Sequence, residues 1–593
     1  MALLNPVLLT QQSTAKLPRG LLLGMVAVYA LSGLIGRDPW SGDDALGFGQ
    51  ALALSQNQGA VALQSVAGEA LATEGPLWFA IVAAFIKALF FIPPHLAVKV
   101  PLVLAIWGTI SALWYAIYYL ARTPAAQPLA LAVGGQPLPT DYGRAVADGG
   151  VLLILATLGV ALRLHELSTE LAQLLCLSAL VLGASVAMYK PKLALYLSAT
   201  ALFCLGANRG VWISALACAW CAVLCTQPAW RSYRRGLPLL LLAAVAGVAA
   251  PFALAYALGQ TAYVQALWAW NTHVIGWLGW ARLNWLGSNI AFLMWPIMPF
   301  AAAALWRWRR YWRLPHIWLP ATYSVVFSAG LLFNTDINDA TTLTLVPGAL
   351  ILAAFLLPAL PRAWMNAIDW FGVMALSFIA ALIWFAWFAM STGWPVPLSR
   401  NILRLAPLFD NGVNYLALGM GLAATAFWVF VVRWRVMAAK TVIWRAAVIW
   451  SAGSLMIWVL LTSLWMPWLN HTRTYRGVAL ELKAALKDHS QCVSPVRLDP
   501  PQRAVLAYFG EIIFEPKPLS ELSSNAALGA EQAATHLDTP ATVACNWLLE
   551  YDSLKRLSGA ERPPYQPAGN WQLVWQGRRF TDKDERFRLY QRR

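Results

Sequence analysis

Apolar stretches of about 20 residues recur along the first 466 positions, separated by short polar breaks, and each is long enough to cross a hydrocarbon core of about 30 Å. The breaks predict about 13 spans, near 18–36, 97–121, 150–163, 171–189, 193–207, 211–229, 237–259, 286–306, 316–333, 340–360, 365–390, 412–432 and 443–466. A further run at 76–92 is apolar but short and contains Lys87. We expect it to lie along the outer membrane face, because a crossing there would invert every later loop. On that reading the loops of one side collect 17 Lys and Arg and those of the other eight. The positive-inside rule then places the N-terminus in the cytoplasm and, after an odd number of spans, the C-terminus outside. A leader cleaved near Ala30-Leu31-Ser32 is the competing reading of the first span, and the spans that follow favour a retained helix.

The pattern changes at about residue 467, and 14 of the 27 acidic residues fall in the last 127 positions. A helical pattern over Tyr475–Leu486 is followed by apolar runs at Val493–Leu498, Ala504–Phe514 and Ala541–Leu549, with Pro and Asn breaks. Trp571–Trp575 and Arg586–Tyr590 close the chain as strands. The expected architecture is an all-α polytopic membrane domain, 1–466, whose first outer loop is 37–99, then a small soluble α/β domain, 467–593, in the periplasm. Cys492 and Cys545 are the two cysteines outside the spans. In an oxidising compartment they can pair; two unpaired buried thiols are the alternative.

Composition agrees with this division. Of 593 residues 59% are hydrophobic and 12% charged, which excludes a disordered chain and an ordinary soluble enzyme. The net charge of +16 would suit nucleic acid, but the positives sit in short clusters between spans, where lipid headgroups and topology account for them, so no nucleic-acid partner is expected. Cys176, Cys204, Cys218, Cys221 and Cys225 lie in apolar spans without metal-ligand spacing and read as small core hydrophobes.

The 13 remaining acidic residues carry the chemistry, since a carboxylate beside lipid is costly and usually functional. Ten map to the outer side: Asp38, Asp43, Asp44, Glu69, Glu74, Glu166, Glu170, Asp336, Asp339 and Asp410. Asp43 and Asp44 follow Trp40-Ser41-Gly42, where one carboxylate could cap a helix while the other serves as general base toward an acceptor hydroxyl. A Trp-rich outer connection, Gln260 to Trp285, contains His273 and Arg282 and would either cover a site or form an interfacial aromatic belt.

The order of these segments resembles the GT-C-fold glycosyltransferases that use polyprenyl-phosphate sugars, in particular the lipid A aminoarabinose transferase and the protein O-mannosyltransferases. Asp43-Asp44 stands where that family has an acidic pair after the first span. Glu74-Gly75-Pro76-Leu77-Trp78 is similar to its Lys/Glu-Pro-Pro-Leu segment, Ser168-Thr169-Glu170-Leu171-Ala172 to its Thr-Thr-Asp-Met-Pro, Asn208-Arg209-Gly210-Val211 to its Thr-Lys-Gly-Pro, and Leu345-Val346-Pro347 to its Leu-Leu-Pro. Two positions depart: Ala45-Leu46 lacks the basic residue of the aminoarabinose branch, and Glu74 replaces the Lys.

The resemblance implies an inner-membrane transferase that moves a sugar from an undecaprenyl-phosphate or similar donor to a hydroxyl on a lipid, glycan or protein, with inversion. Asp43 and Asp44 are the catalytic candidates. Asp38, Trp40, Glu74, Glu170, Arg209, His273 and Arg282 are the candidate contacts to substrate and phosphate, Arg209 foremost because it falls on the family's Lys. No cofactor is indicated, and a divalent metal held by the acidic first loop stays open. The alternative is a transporter or flippase of lipid-linked sugars, which would carry intramembrane ionisable groups and paired halves.

Overall fold

The computed structural model describes residues 7, 9–40, 42–56, 65–71, 74–129, 135–277, 279–335, 338–437, 442–486, 492–516, 545–553, 567 and 570–593. Ser41, Asp336 and positions 541–544 of the expected strand run lie outside them.

Eight described helices are long and apolar enough to cross a membrane: Pro94–Ala121, Thr169–Val186, Pro191–Leu224, Tyr233–Ala257, Ala340–Ala359, Arg362–Thr392, Tyr415–Met437 and Arg445–Ser463. Two bent pairs raise the number to ten if each is one broken span: Pro139–Leu155 with Leu158–Leu164, at 76°, and Arg282–Leu293 with Ile297–Arg307, at 104°. Length and apolar composition alone thus count eight to ten of the expected 13 among the described helices, with Pro191–Leu224 taken as one. The first span contains a helix of only 13 residues, Arg19–Leu31. The run at 76–92 yields 12 helical residues, Leu77–Ala88, about 18 Å and too short to cross. Pro315–Leu332 has the length, but Pro315, His316 and Pro320 dilute its apolar character.

Burial sorts the long helices into an inner and an outer set. The apolar window of Ala340–Ala359 is 100% buried, whereas those of Tyr233–Ala257, Arg362–Thr392 and Tyr415–Met437 are 22% buried. Residues such as Leu242, Val245, Phe378 and Phe430 are exposed on those peripheral helices, which is a sensible surface only against lipid.

The Pro191–Leu224 helix is two arms meeting at Gly210, whose φ of 67° and ψ of −150° leave the helical region. Leu195 of the first arm packs on Gly236 of the next helix, while Leu216 of the second packs on Gly330 of Pro315–Leu332. The Tyr233 hydroxyl donates to Ser198 Oγ at 2.7 Å and also meets Cys221, so positions 23 residues apart lie at one depth. The chain therefore folds back at Gly210, and the break expected between 207 and 211 is this reversal.

Beyond Arg476 the chain forms a five-stranded mixed sheet. In chain order the molecule's strands are β1 (Ser65–Val66) and β2 (Glu69–Ala70), a hairpin of the first loop, then β3 (Cys492–Val496), β4 (Ile513–Phe514), β5 (Trp547–Ser553), β6 (Trp571–Gly577) and β7 (Glu585–Arg592). The sheet order is β4-β3-β5-β7-β6, parallel across β4, β3 and β5 and antiparallel thereafter. The stretch read as an apolar run at Ala504–Phe514 is mostly helix, Pro500–Gly510, started by a capping box between Asp499 and Gln502 with Pro at the first turn. Cys492 and Cys545 are joined as a disulfide, with Cα atoms 5.4 Å apart.

This sheet region is packed directly onto the first loop. The loop's helix, Asp43–Ser55, contributes Ala45 to the same buried cluster as Val493, Val505, Leu549 and Phe587. An added Cβ on Gly49 would lie 2.6 Å from that of Ala504, so the two helices touch at a position only glycine permits. Phe48 meets Tyr508 edge-on, and the Tyr508 hydroxyl is 2.9 Å from His95 Nδ1. Arg503, whose side chain is 1% exposed, pairs with Glu69, 20% exposed, at 2.9 Å.

Removing one member of that pair has asymmetric consequences. Glu69→Gln strands a fully buried cation and should cost about 3–5 kcal/mol, whereas Arg503→Met leaves a carboxylate that can reach water and should cost clearly less. Thermal unfolding of the purified full chain in detergent checks this. Equal losses from the two variants would contradict the pair as the clamp between loop and sheet.

Candidate functional site

The first loop's helix begins at Asp43, after Gly42 takes a φ of 86° that favours glycine. Asp44 turns into the protein. Its Oδ2 is 3.0 Å from the Arg37 guanidinium, its Oδ1 accepts the Leu167 amide at 2.8 Å, and Arg37 also donates to the His165 carbonyl. Burial acts against the Asp44 carboxylate, but Arg37, with Lys99 and the two backbone amides, brings it below its ordinary value. The result is a structural clamp to the turn before Thr169–Val186. Contact is close there: a Cβ on Gly47 would sit 2.1 Å from the Leu167 carbonyl. Neighbouring residues on a helix are rotated by about 100°, so with Asp44 fixed inward, Asp43 faces elsewhere. It faces a cavity.

The cavity, of about 470 Å³, is lined by Asp43, Gln50 and Phe79, by Glu74, by Thr169 and Glu170 at the start of their helix, by Arg209, Trp212, Trp270 and Asn271, and by Asn334, Thr335 and Asn338. It thus collects polar groups from six separate segments of the chain. Arg209 stands at the reversal of its helix, where Gly210 permits the turn and Asn271 closes it: Asn271 Oδ1 accepts the Val211 amide at 2.8 Å, and a Cβ on Gly210 would collide with the same oxygen. Arg209 NH1 contacts the Glu74 carboxylate, Thr169 Oγ1 at 2.8 Å and Glu170 Oε1 at 3.2 Å.

The segment carrying Glu74 is fastened to the same reversal. The Gly75 amide donates to the Asn208 carbonyl at 2.8 Å and the Trp78 amide to Asn208 Oδ1 at 2.7 Å. Gly75 is required sterically, since a Cβ would lie 1.8 Å from the Ala207 carbonyl oxygen.

Burial sets the proton affinities first, and neighbouring charges adjust them. Burial pushes Glu74 up to about 7, with Arg209 pulling down and Glu170 and Asp43 adding to the rise. Asp43 is raised by burial and by Glu170, against Arg163 and Arg209. Glu166 is raised by burial while its partner Arg163, which also binds Asp339 at 2.8 Å, opposes the shift.

Among the sequence candidates, Asp43, Glu74, Glu170 and Arg209 are therefore brought together. Asp44 is turned away, and Asp38 and Trp40 serve a different junction: Thr474 Oγ1 and Asn470 Nδ2 donate to Asp38, Arg476 lies 3.6 Å from it, and Trp40 Nε1 donates to Asn470 Oδ1. That network ties the segment after the last span, Met466–Arg473 and the residues that follow it, to the loop. His273 and Arg282 lie outside the cavity lining; Arg282 folds over its own turn, donating to the Trp277 carbonyl. The Trp-rich connection nonetheless reaches the cavity, through Trp270, Asn271 and Val274. Sequence reasoning missed Asn271, Asn334 and Trp212, which are neutral. The one available signal was the position of Asn271 within a connection already suspected of covering the site. Among the described residues no group of three or more His, Cys, Asp and Glu is arranged to hold a metal ion.

No protein-family model matches the chain, and no curated protein matches it significantly in sequence. Solved structures match it in fold. The crystal structure of ArnT from Cupriavidus metallidurans bound to undecaprenyl phosphate is similar over 96% of this chain and 97% of its own, with a TM-score of 0.64 and 11% identity. Its apo state gives 0.62 over the same shares. The archaeal oligosaccharyltransferase AglB from Archaeoglobus fulgidus, in complex with an inhibitory peptide and a dolichol-phosphate, is matched at 0.40, with 10% identity, over 90% of this chain and 69% of its own. The likeness to ArnT runs through both the helical bundle and the sheet region, and the chain has a GT-C-like fold.

Proposed function

We propose that the chain is a bacterial inner-membrane glycosyltransferase that moves a sugar from a polyprenyl-phosphate donor to a hydroxyl-bearing lipid, glycan or protein at the outer face. The observation that carries the reading is one cavity uniting a carboxylate, Asp43, with a guanidinium, Arg209, in a lipid-embedded fold similar to that of ArnT, whose structure holds undecaprenyl phosphate. The division at about residue 466 makes 1–466 the transferase unit and 467–593 a periplasmic domain bracing its first loop.

The chemistry asked of the site is modest in parts. A sugar attached through its anomeric carbon to phosphate already carries a good leaving group, provided that negative charge on the departing phosphate is met by a cation. Arg209 supplies that cation in a site partly shielded from water, where a fixed charge counts for more. The acceptor hydroxyl needs a base, and Asp43 is placed for that role: it lines the cavity, and its raised proton affinity brings it nearer the operating pH than an ordinary aspartate. Attack opposite to the phosphate inverts the anomeric centre. Trp212, Trp270 and the asparagines 271 and 334 offer stacking faces and amides for sugar hydroxyls.

A flippase would bind the same lipid and leave the glycosidic bond intact. Release of polyprenyl phosphate from a radiolabelled donor by purified protein separates the two activities. In that assay Asp43→Asn should fold normally and lose about 10²–10⁴-fold of turnover. Asp44→Asn should instead lower the yield of folded protein, because it loosens Arg37 and the Leu167 amide. Wild-type turnover in Asp43→Asn would remove the base assignment.

The orientation has its own test. Trp277 is 92% exposed near the cavity and Leu138 is 61% exposed in the loop between the spans near 97–121 and 150–163, expected inside. In intact cells a cysteine at 277 should react with a membrane-impermeant thiol reagent, and one at 138 should be protected until the membrane is opened. The reverse pattern would place the cavity in the cytoplasm.

A further inference from the structure

The cavity has an electrostatic difficulty for the phosphate reading: three carboxylates, Asp43, Glu74 and Glu170, face it together with one guanidinium, Arg209. An anion entering such a site meets net repulsion unless one carboxylate gives up its charge or its partner. The geometry distinguishes Glu74 among the three. It is the carboxylate in closest contact with Arg209, and it stands one residue before Gly75, at the end of a segment held to the helix reversal by the two hydrogen bonds to Asn208. Glu170 belongs to the first turn of its helix, at 3.2 Å from the same guanidinium nitrogen, and Asp43 reaches the cluster from the first-loop helix.

We propose that Glu74 is a displaceable counter-ion: it holds Arg209 while the phosphate subsite is empty and yields it to the donor phosphate by accepting a proton. This deepens the reading above and rests on Arg209 being the phosphate ligand. No bond between heavy atoms is made or broken; one proton passes from a solvent acid to a Glu74 carboxylate oxygen, forming its O–H, as the phosphodiester arrives.

The groups facing Glu74 make the step feasible near neutral pH. Burial carries the carboxyl up to about 7, Arg209 and the Thr169 hydroxyl favour its charged form, and Glu170 and Asp43 disfavour it. When phosphate engages Arg209, the main influence holding Glu74 ionised is shared and a new anion is added. Proton affinity rises further, so the bound state holds Glu74 neutral. A neutral carboxyl also gains an O–H that can donate to a phosphate oxygen.

The sign of the pH dependence follows. Below about 7 Glu74 is already neutral in the empty site, so donor binding takes up no proton and affinity is flat. Above that, each binding event takes up one proton, and affinity falls by up to about tenfold per pH unit.

The test uses the full chain in detergent and methyl farnesyl phosphate, a phosphodiester whose single charge is constant from pH 5.5 to 9, followed by titration calorimetry. Wild-type affinity should be level below pH 7 and fall above it. At pH 8.5 binding should take up close to one proton, read from buffers of different ionisation enthalpy. Glu74→Gln should bind about 10- to 30-fold more tightly than wild type at pH 8.5, with no pH slope. Glu170→Gln should bind more tightly while keeping the slope, which separates a specific Glu74 role from diffuse charge relief. Binding that requires Arg209 but takes up no proton and stays level to pH 9 would overturn the inference and leave the phosphate reading standing. Binding indifferent to Arg209→Ala would overturn the phosphate reading, and this inference with it. If Glu74→Gln fails to fold, wild-type proton uptake at pH 8.5 decides alone.

Discussion

A guanidinium set at the reversal of a membrane helix has to be satisfied from several directions at once, and the way Arg209 is satisfied organises this molecule. Its position requires a residue free to take positive φ immediately after it, which Gly210 provides, and a side chain to close the turn, which Asn271 provides. Its charge requires anions, and they come from two other elements, the Glu74 segment and the first turn of Thr169–Val186. Both must approach the turn closely. The absence of a side chain at Gly75 allows one approach, and the Arg37–Asp44 clamp on the Leu167 amide fixes the turn that leads into the other. Bringing the counter-charges together encloses a polar cavity as a geometric consequence.

The same requirement explains why the sheet region sits where it does. The first loop leaves the bundle, supplies Asp43 and Glu74, and returns, with only short helices of its own. Such a loop could not hold two carboxylates in place by itself. The Asp43–Ser55 helix shares a core with the sheet through Ala45, meets the Pro500–Gly510 helix at Gly49, and is tied through its hairpin to Arg503. A second tie runs through Asp38 and Trp40 to Asn470 and Thr474. These residues looked like substrate contacts because of their company in the sequence; their contribution is to keep the loop rigid.

What could be read from the chain, and what could not, divides along the range of the interactions. The acidic loop, the Glu74 segment, Glu170 at a helix start and Arg209 beside a glycine are local patterns, each legible within five residues. The choice between Asp43 and Asp44 is not local: it is made by Arg37 seven positions earlier and by an amide 123 positions later. Asn271 and Asn334 carry no charge, so no charge pattern marked them, and only the Trp-rich connection pointed toward Asn271. The number of spans is not legible from apolar length, because apolar length in sequence is not helical length: the first span holds only the helix Arg19–Leu31, and Pro139–Leu155 and Leu158–Leu164 are two pieces bent by 76°. The sheet region's helix was misread for a similar reason, its capping box being the signal that outweighs the apolar run.

The two carboxylates that matter most place opposite demands on the proposed reaction. Asp43 has to be ionised to take a proton from an acceptor, and its raised proton affinity sets a lower pH limit on that role. Glu74 has to be neutral to release Arg209, and its value of about 7 sets an upper limit on donor binding. A site that used two identical carboxylates could not satisfy both in one pH range. Their environments differ in the necessary direction: Glu74 lies against the guanidinium in a segment pinned to the helix reversal, and Asp43 lines the cavity from the start of its own helix. Pairs of titratable groups whose surroundings separate their proton affinities are the usual physical basis for dividing acid and base work. Here the division follows from the placement of Glu74 against Arg209, while Asp43 reaches the same cavity from another helix.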